Sequence, residues 1–452
     1  MSYQDEYRRK LISAEEAAGL VKSGMWVEYG QVTGFPILID EELAKRAKEL
    51  KKVKIRAFVP LSEPQVLKID PEEEHFIYNT WHYSQFDRGY QSKGITSHIP
   101  YTLTEMPRLY MDFLKDKVDI LFIEVTPMDG HGYFNFGAYM FASKAMCDAA
   151  RTVVVEVNES QPWVHGGYDE VVHISQVDYI VENRKYQIAE LPVAEMTKTD
   201  EAIAEHIVGL IEDGATIQLG IGGIPNAVGR QMIKHGLKDL GIHTGLFTES
   251  MIELIEAGVV TGKKKSLNIG KAVVGCAMGS TKLYEYVNRN TLLAFYPSDY
   301  THNHQIIAQN IKQVAINNAI KVDLRGQVCS ESVGYRQVSA TGGQLDFTRG
   351  AYMSPGGKAF ICLYSTYEGK GNKLLSNIVL DLEPGDVVTV PRTDVSYVVT
   401  EFGVVNLKGK TSWQRAKLLI SIAHPDFRNE LAEAARRIDL ITPGTSDLDP
   451  DD

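Results

Sequence analysis

Cysteine is scarce. Cys147, Cys276, Cys329 and Cys362 are the only four among 452 residues, and no two form a CxxC pair. That excludes a disulfide-dense scaffold and a zinc ribbon, and the four read as buried or free thiols in a reducing compartment. No apolar run approaches the ~18–20 residues of a membrane span. The opening MSYQDEYRRKLISAEEA has no apolar h-region and is too acidic for a transit peptide. A cytoplasmic protein without membrane contact is expected. Basic charge is in deficit, 47 Lys+Arg against 58 Asp+Glu for a net −11, which argues against nucleic-acid binding. It does not exclude an anionic ligand, because backbone N–H groups bind anions whatever the net charge. Nucleotide and hydrolase signatures are missing. Gly258–Lys263 is one residue short of a P-loop, and Gly403–Thr411 has one too many. There is no G-x-S-x-G, H-E-x-x-H or EF-hand loop. His302 and His304 flank Asn303 in a polar stretch with no third ligand nearby, so they read as solvated or hydrogen-bonded, and no metal is expected.

What is present is an ordinary globular composition, 44% hydrophobic and 23% charged, with length for two or three domains at ~100–200 residues each. Helical and strand-like segments alternate throughout, which predicts an α/β fold with mostly parallel sheets. Helices are expected over 13–23, 41–52 and 142–150. Strands are expected over 26–29, 53–59, 118–125 and 152–157. A boundary near 190 divides an N-terminal unit, 1–190, from a C-terminal one, 191–443, and the acidic tail 444–452 is expected to be disordered. Residues 18–36 (AGLVKSGMWVEYGQVTGFP) and 207–225 (IVGLIEDGATIQLGIGGIP) run alike. Gly24 matches Gly214 and Gly30 matches Gly220, as in a duplicated α/β unit or two generic βα starts.

The second copy carries the strongest local signal. A short strand at 215–219 runs into Gly220-Ile221-Gly222-Gly223-Ile224-Pro225, and a helix is expected from Asn226. Glycines let backbone N–H groups approach a ligand, and a helix start adds positive potential. A tight turn with no ligand fits the loop equally well. The dinucleotide fingerprint is not met, since Pro225 replaces its third glycine. Asp239, ~20 residues on, gives a nicotinamide-dependent oxidoreductase only slight support.

Several segments, in order along nearly the whole chain, resemble the acetyl-CoA hydrolase/transferase family and its 4-hydroxybutyrate and butyryl CoA-transferase branch (class I CoA-transferases). They are Ala149–Asn158, Gln218–Pro225, Leu240–Thr244, Glu256–Thr261, Gly342–Phe347, Tyr397–Gly403 and Ile422–Arg428. The resemblance implies two homologous open α/β domains with the active site between them. It also implies ping-pong CoA transfer between an acyl-CoA and a small carboxylic acid such as acetate, butyrate or 4-hydroxybutyrate, through a glutamyl-CoA thioester. Coenzyme A would be held by Gly220, Ile221, Gly222, Gly223, Ile224, Ile320 and Gly343. A homodimer or higher homo-oligomer is the default expectation.

One position departs from the pattern. The family's nucleophile is the glutamate after a His-Thr or His-Ser pair, and here His243-Thr244 is followed by Gly245. Two acids are candidates to replace it. Glu249 lies four residues on, though Ser250-Met-Ile-Glu253 reads as a capping box and gives Glu249 a local alternative role. Glu63 sits in Pro60-Leu-Ser-Glu-Pro64 after a strand, where a solvated loop acid is the alternative. Glu401, in Thr-Glu-Phe-Gly, reads as structural. An acyl-CoA hydrolase or lyase-like member, in which water or the substrate's own carboxylate replaces the glutamyl route, and a non-catalytic CoA-binding protein remain as alternatives. The aromatic stretch Tyr133–Phe141 is a candidate lining for the acyl group.

Overall fold

The computed structural model describes residues 2–450. Two sheets organise the chain. The first has seven strands in the order Thr96–His98, Phe76–Thr80, Val53–Ala57, Trp26–Tyr29, Ile120–Val125, Val153–Asn158 and Tyr179–Asn183, and all its pairings are parallel. Ile120–Val125 and Val153–Asn158 are buried at every residue, as expected of parallel strands covered on both faces. The second sheet runs Gly241–Ile242, Thr216–Leu219, Gln313–Asn318, Lys358–Cys362, Tyr397–Thr400 and Gly403–Asn406. Only its last pairing is antiparallel. The architecture is α/β with mostly parallel sheets.

The two similar segments occupy equivalent places. Gly24 and Gly214 each stand two residues before a strand with φ of +80° and +75°, a conformation that favours glycine. Each strand then pairs in parallel with neighbours on both sides. Strand order reverses at such a place, and a crevice opens beyond the strands' carboxyl ends. In the second sheet the reversal falls beside Thr216–Leu219, so residues 220–222 emerge at the crevice next to Asn317 and Asn318.

Some elements begin or end away from their expected positions. The helix expected over 13–23 is Ala14–Gly19, started by a Ser13/Glu16 capping box. The helix expected over 41–52 is Ile37–Lys45, and the backbone N–H groups of Leu38 and Ile39 donate to the buried Glu156 carboxylate at 3.1 and 3.0 Å. The helix expected from Asn226 starts at Gly223. Part of the tail is tied down: Lys417 Nζ donates to Ser446 O at 2.7 Å and Gln414 Nε2 to Pro450 O at 3.1 Å. Residues 451–452 lie outside the described residues. Among the described residues no helix is long and apolar enough to cross a membrane, and no group of three His, Cys, Asp or Glu side chains is placed to hold a metal ion.

Candidate active site

A cavity of about 460 Å³ opens between the two sheets. From the first sheet it is walled by Phe58–Leu61, which follow the strand Val53–Ala57, and by His82–Phe86, which follow Phe76–Thr80. From the second come Gly220 and Ile221, Asn317 and Asn318, and Gly342–Gln344. Strand ends supply most of this wall, as expected for open parallel sheets. His82 links the two sides. Its Nδ1 bonds the Tyr101 hydroxyl at 3.2 Å, and its Nε2 bonds the Ser339 hydroxyl at 3.0 Å. Burial pulls the His82 pKa down to about 3, so the ring is a neutral bridge rather than a charged group.

The glycine loop is held from below and open above. The Ile221 carbonyl accepts from Asn318 Nδ2 at 3.1 Å, and Gln218 Oε1 accepts from Ile316 N and Asn317 Nδ2. Gly222 has φ +116° and ψ −171°, a combination almost confined to glycine. That conformation turns the chain into the helix Gly223–Lys234. Of the residues expected to hold CoA, Gly220, Ile221 and Gly343 line the cavity. Gly222 is half-buried and does not line it, and a Cβ on Gly223 would meet Asp200 Oδ2 at 2.5 Å. Ile224 is buried in the core, and Ile320 is half-buried with its N–H on Cys329 O.

Among the described residues no Asp or Glu lines the cavity. Glu249 stands in the first turn of the helix Glu249–Glu256, where Thr248 is the N-cap and the Ser250 capping box does not form. Its carboxylate accepts from Ser280 N at 2.7 Å, at the start of the next helix, Thr281–Val287. It faces a separate polar cavity with Arg230 and Glu253. Glu63 follows the lining residues Pro60 and Leu61, but it receives the Tyr90 hydroxyl at 2.8 Å and Lys68 Nζ at 3.4 Å. Glu331, beside the lining residue Ser330, accepts from Thr389 Oγ1, Thr341 Oγ1 and Gln337 Nε2. Glu401 accepts from Ser365 N and Oγ. Of the aromatic stretch, only Phe141 reaches the cavity; Phe134, Phe136 and Tyr139 are core residues and Tyr133 is exposed. Asp239 instead accepts from the Thr261 hydroxyl at 2.9 Å.

Gly245 does line the cavity, and its neighbour is unexpected. A Cβ on Gly245 would lie 2.3 Å from His302 Nε2. The His302 ring also closes on Gly343, where a Cβ would lie 2.5 Å from Cδ2. His302 is not solvated: it is 2% exposed, with the edges of Phe141 and Phe347 at 5.0 and 5.3 Å between ring centroids. Its position is set by His243. The His243 Nε2–H donates to Thr301 O at 3.0 Å, while Nδ1 accepts from Asn310 Nδ2 at 3.1 Å. The His-Thr pair before Gly245 thus holds the backbone next to His302. Burial takes the His302 pKa down to about 3, and the ring is neutral at ordinary working pH. Arg88 is the only Lys, Arg, Asp or Glu among the cavity-lining residues.

These features coincide with clear kinship. Residues 1–192 match the acetyl-CoA hydrolase/transferase N-terminal domain and residues 279–435 the C-terminal domain. The chain is 46% identical over 438 residues to the probable butyrate:acetyl-CoA coenzyme A-transferase of Syntrophomonas wolfei, covering 96% of this chain and 97% of that one. It is 42% identical over 441 residues to the butyryl-CoA:acetate CoA-transferase of Anaerostipes caccae, covering 97% and 99%. The crystal structure of RipA from Yersinia pestis superposes with a TM-score of 0.88 at 36% identity, over 98% of this chain and all of that one. The chain belongs to the acetyl-CoA hydrolase/transferase family.

Proposed function

We propose that the protein moves CoA between an acyl-CoA and a small carboxylic acid of the acetate, butyrate and 4-hydroxybutyrate class. The observation that carries this is the glycine loop at the reversal point of the second sheet, opening onto a largely apolar cavity in a chain whose relatives bear CoA-transferase names. Gly220 and Ile221 line the crevice, and N–H groups of such a glycine loop before a helix are donors from which phosphates or a pantetheine amide can accept. Arg88 supplies the cation for an acceptor carboxylate. Ping-pong order requires a protein carboxylate to take up the acyl group. Glu63, next to the lining segment Pro60–Leu61, carries that form of the reading.

The test is a panel of acyl-CoA donors and carboxylate acceptors, followed by thioester exchange. Parallel double-reciprocal plots and a hydroxylamine-trapped glutamate at residue 63 support ping-pong transfer. Thioester loss at one rate with and without acceptor overturns transfer. Two substitutions probe binding. Gly222→Ala puts a side chain at a φ of +116°, at a cost of about 1–3 kcal/mol. The KM for acyl-CoA is expected to rise about tenfold or more, since 1.4 kcal/mol is a factor of ten. Arg88→Ala is expected to raise the acceptor KM about fivefold, for the loss of about 1 kcal/mol of partly screened charge attraction, with the acyl-CoA KM little changed.

A second reading, hydrolysis of the thioester by water, is favoured by one observation: Gly245 and the lining contain no carboxylate to form a glutamyl intermediate.

A further inference from the structure

We propose that His302 is the catalytic base of this cavity and gives the protein an acyl-CoA hydrolase activity that needs no carboxylate acceptor. The inference rests on the hydrolytic reading just given and on acyl-CoA binding in the cavity. Three observations lead to it.

First, only one of the two ring nitrogens is engaged. Thr301 Oγ1 donates to Pro297 O at 3.3 Å and lies 2.9 Å from His302 Nδ1. A hydroxyl has one proton to give. The tautomer this proposal takes keeps that proton on Pro297 O, so that Nδ1–H donates to Thr301 Oγ1. Nε2 is left with a lone pair and with no hydrogen-bond partner among the described residues.

Second, that lone pair occupies the path of the missing side chain, because Nε2 lies 2.3 Å from where the first atom of any side chain at 245 would be. A glutamate there would carry its oxygens three bonds beyond that atom. A water accepted by Nε2 at ordinary hydrogen-bond distance, about 2.8 Å, puts its own oxygen in the same neighbourhood. The recessed ring and the bare glycine together leave room for one attacking oxygen.

Third, a bare lone pair suits a nucleophile that brings a proton. Water does, and a carboxylate does not. Phe141, Phe347 and the hydrogen bond to Thr301 lock the ring, so the base is held in place before substrate arrives.

The step balances without a co-reactant other than water. The water oxygen bonds to the thioester carbon as one of its protons passes to Nε2, and the carbonyl electron pair moves onto oxygen. On collapse the C–S bond breaks and the Nε2 proton goes to sulfur. The products are the carboxylic acid, which ionises, and the CoA thiol.

The experiment uses the full chain with acetyl-CoA and butyryl-CoA in buffer free of carboxylates, following thiol release. Wild type is expected to release thiol. His302→Gln is expected to lose about tenfold or more in kcat, less than the ~100-fold of a base matched to the operating pH because burial holds the ring's pKa down, while CoA still protects both proteins from thermal unfolding. A single turnover in ¹⁸O-water is expected to label the released acid and no protein carboxylate. Thr301→Val, which removes the Nδ1 partner, is expected to fall between the two in kcat with the acyl-CoA KM unchanged. Label in the peptide holding Glu63 or Glu249 overturns the proposal in favour of a covalent route. So does His302→Gln at the wild-type rate, or wild type that releases thiol only when acetate is added. If CoA protects neither protein, the CoA-binding reading fails instead.

Discussion

Gly245→Glu is expected to destabilise the protein and to leave acyl-CoA turnover no faster, although it places a carboxylate side chain after the His243-Thr244 pair. The obstacle is His302. The first carbon of the new side chain would meet Nε2 at 2.3 Å and Cε1 at 2.6 Å. The ring is hemmed in: Gly343 closes one flank, and the rings of Phe141 and Phe347 close two others. Backbone movement is also opposed, because the Gly245 carbonyl accepts from Gly275 N at 3.1 Å and Cys276 N at 2.9 Å. Overpacking of this kind costs about 1–3 kcal/mol, read as a lower urea midpoint with an unchanged slope. The double variant Gly245→Glu/His302→Ala removes the ring that blocks the side chain. It is expected to recover part of the lost stability and to form a hydroxylamine-sensitive adduct at residue 245 on exposure to acyl-CoA. Exchange into a carboxylate acceptor should then exceed that of the single variant by about tenfold or more, within the range covalent catalysis supplies. A single variant as stable and active as the parent would show that position 245 is not sterically closed.

That pairing of a glycine with a histidine 57 positions away shows where local reading of the chain stops. The strand Trp26–Tyr29 has the ends expected of it, and Ile120–Val125 and Val153–Asn158 fall within a residue or two of theirs. Their apolar, β-branched runs need only a buried site between neighbours. The helix Ile37–Lys45 starts four residues early because its N-terminal donors are taken by Glu156, far along the chain. The loop Gly220–Gly223 is legible for a local reason, since few sequences need three glycines within four residues after a strand. The facing wall of the cavity, Phe58, Leu61 and His82, has no such signature; each is an ordinary residue after an ordinary strand. His302 is the extreme case. Its neighbours in Tyr300-Thr-His-Asn-His304 are polar, which suggests solvent, yet the short helix Ser298–Thr301 tucks it beneath Phe141. The signal that could have found it is indirect: two glycines, Gly245 and Gly343, at positions where the same ring needs the room. Glu249, an acid near the vacant position, lies outside the cavity lining, and its carboxylate accepts from the backbone N–H of Ser280, a contact 31 positions away that no local pattern announces.

The largest loss of stability is expected from Arg56→Met. Arg56 and Glu28 are direct cross-strand partners in the first sheet, and both are buried. Arg56 Nε donates to Glu28 Oε2 at 2.5 Å, the Tyr110 hydroxyl donates to Oε1 at 2.6 Å, and the guanidinium lies 4.4 Å from the Trp26 ring centroid. Burial alone pushes the Glu28 pKa up, so without Arg56 the carboxylate must either remain charged in an apolar setting or take up a proton. Removing one partner of such a pair costs about 3–5 kcal/mol, whereas replacing both by neutral groups of similar size costs much less. Glu28→Gln/Arg56→Met is therefore expected to be more stable than Arg56→Met alone, although it carries one more substitution. Stability of Arg56→Met should fall as pH rises, because the unpaired Glu28 folds most easily when protonated: the folded pKa is raised, and the stabilising effect of its proton is lost above it. The double variant lacks that slope. Function is drawn in through Trp81, whose indole N–H points to Glu28 at 3.5 Å and which immediately precedes the cavity-lining His82. Loosening the pair loosens the strand ends that carry Phe58–Leu61 and His82–Phe86, and the acyl-CoA KM should rise with it. Urea titrations of the parent and both variants at pH 6 and pH 8 decide the matter: equal midpoints for Arg56→Met and the double variant at both pH values would show that the pair does not couple the two strands.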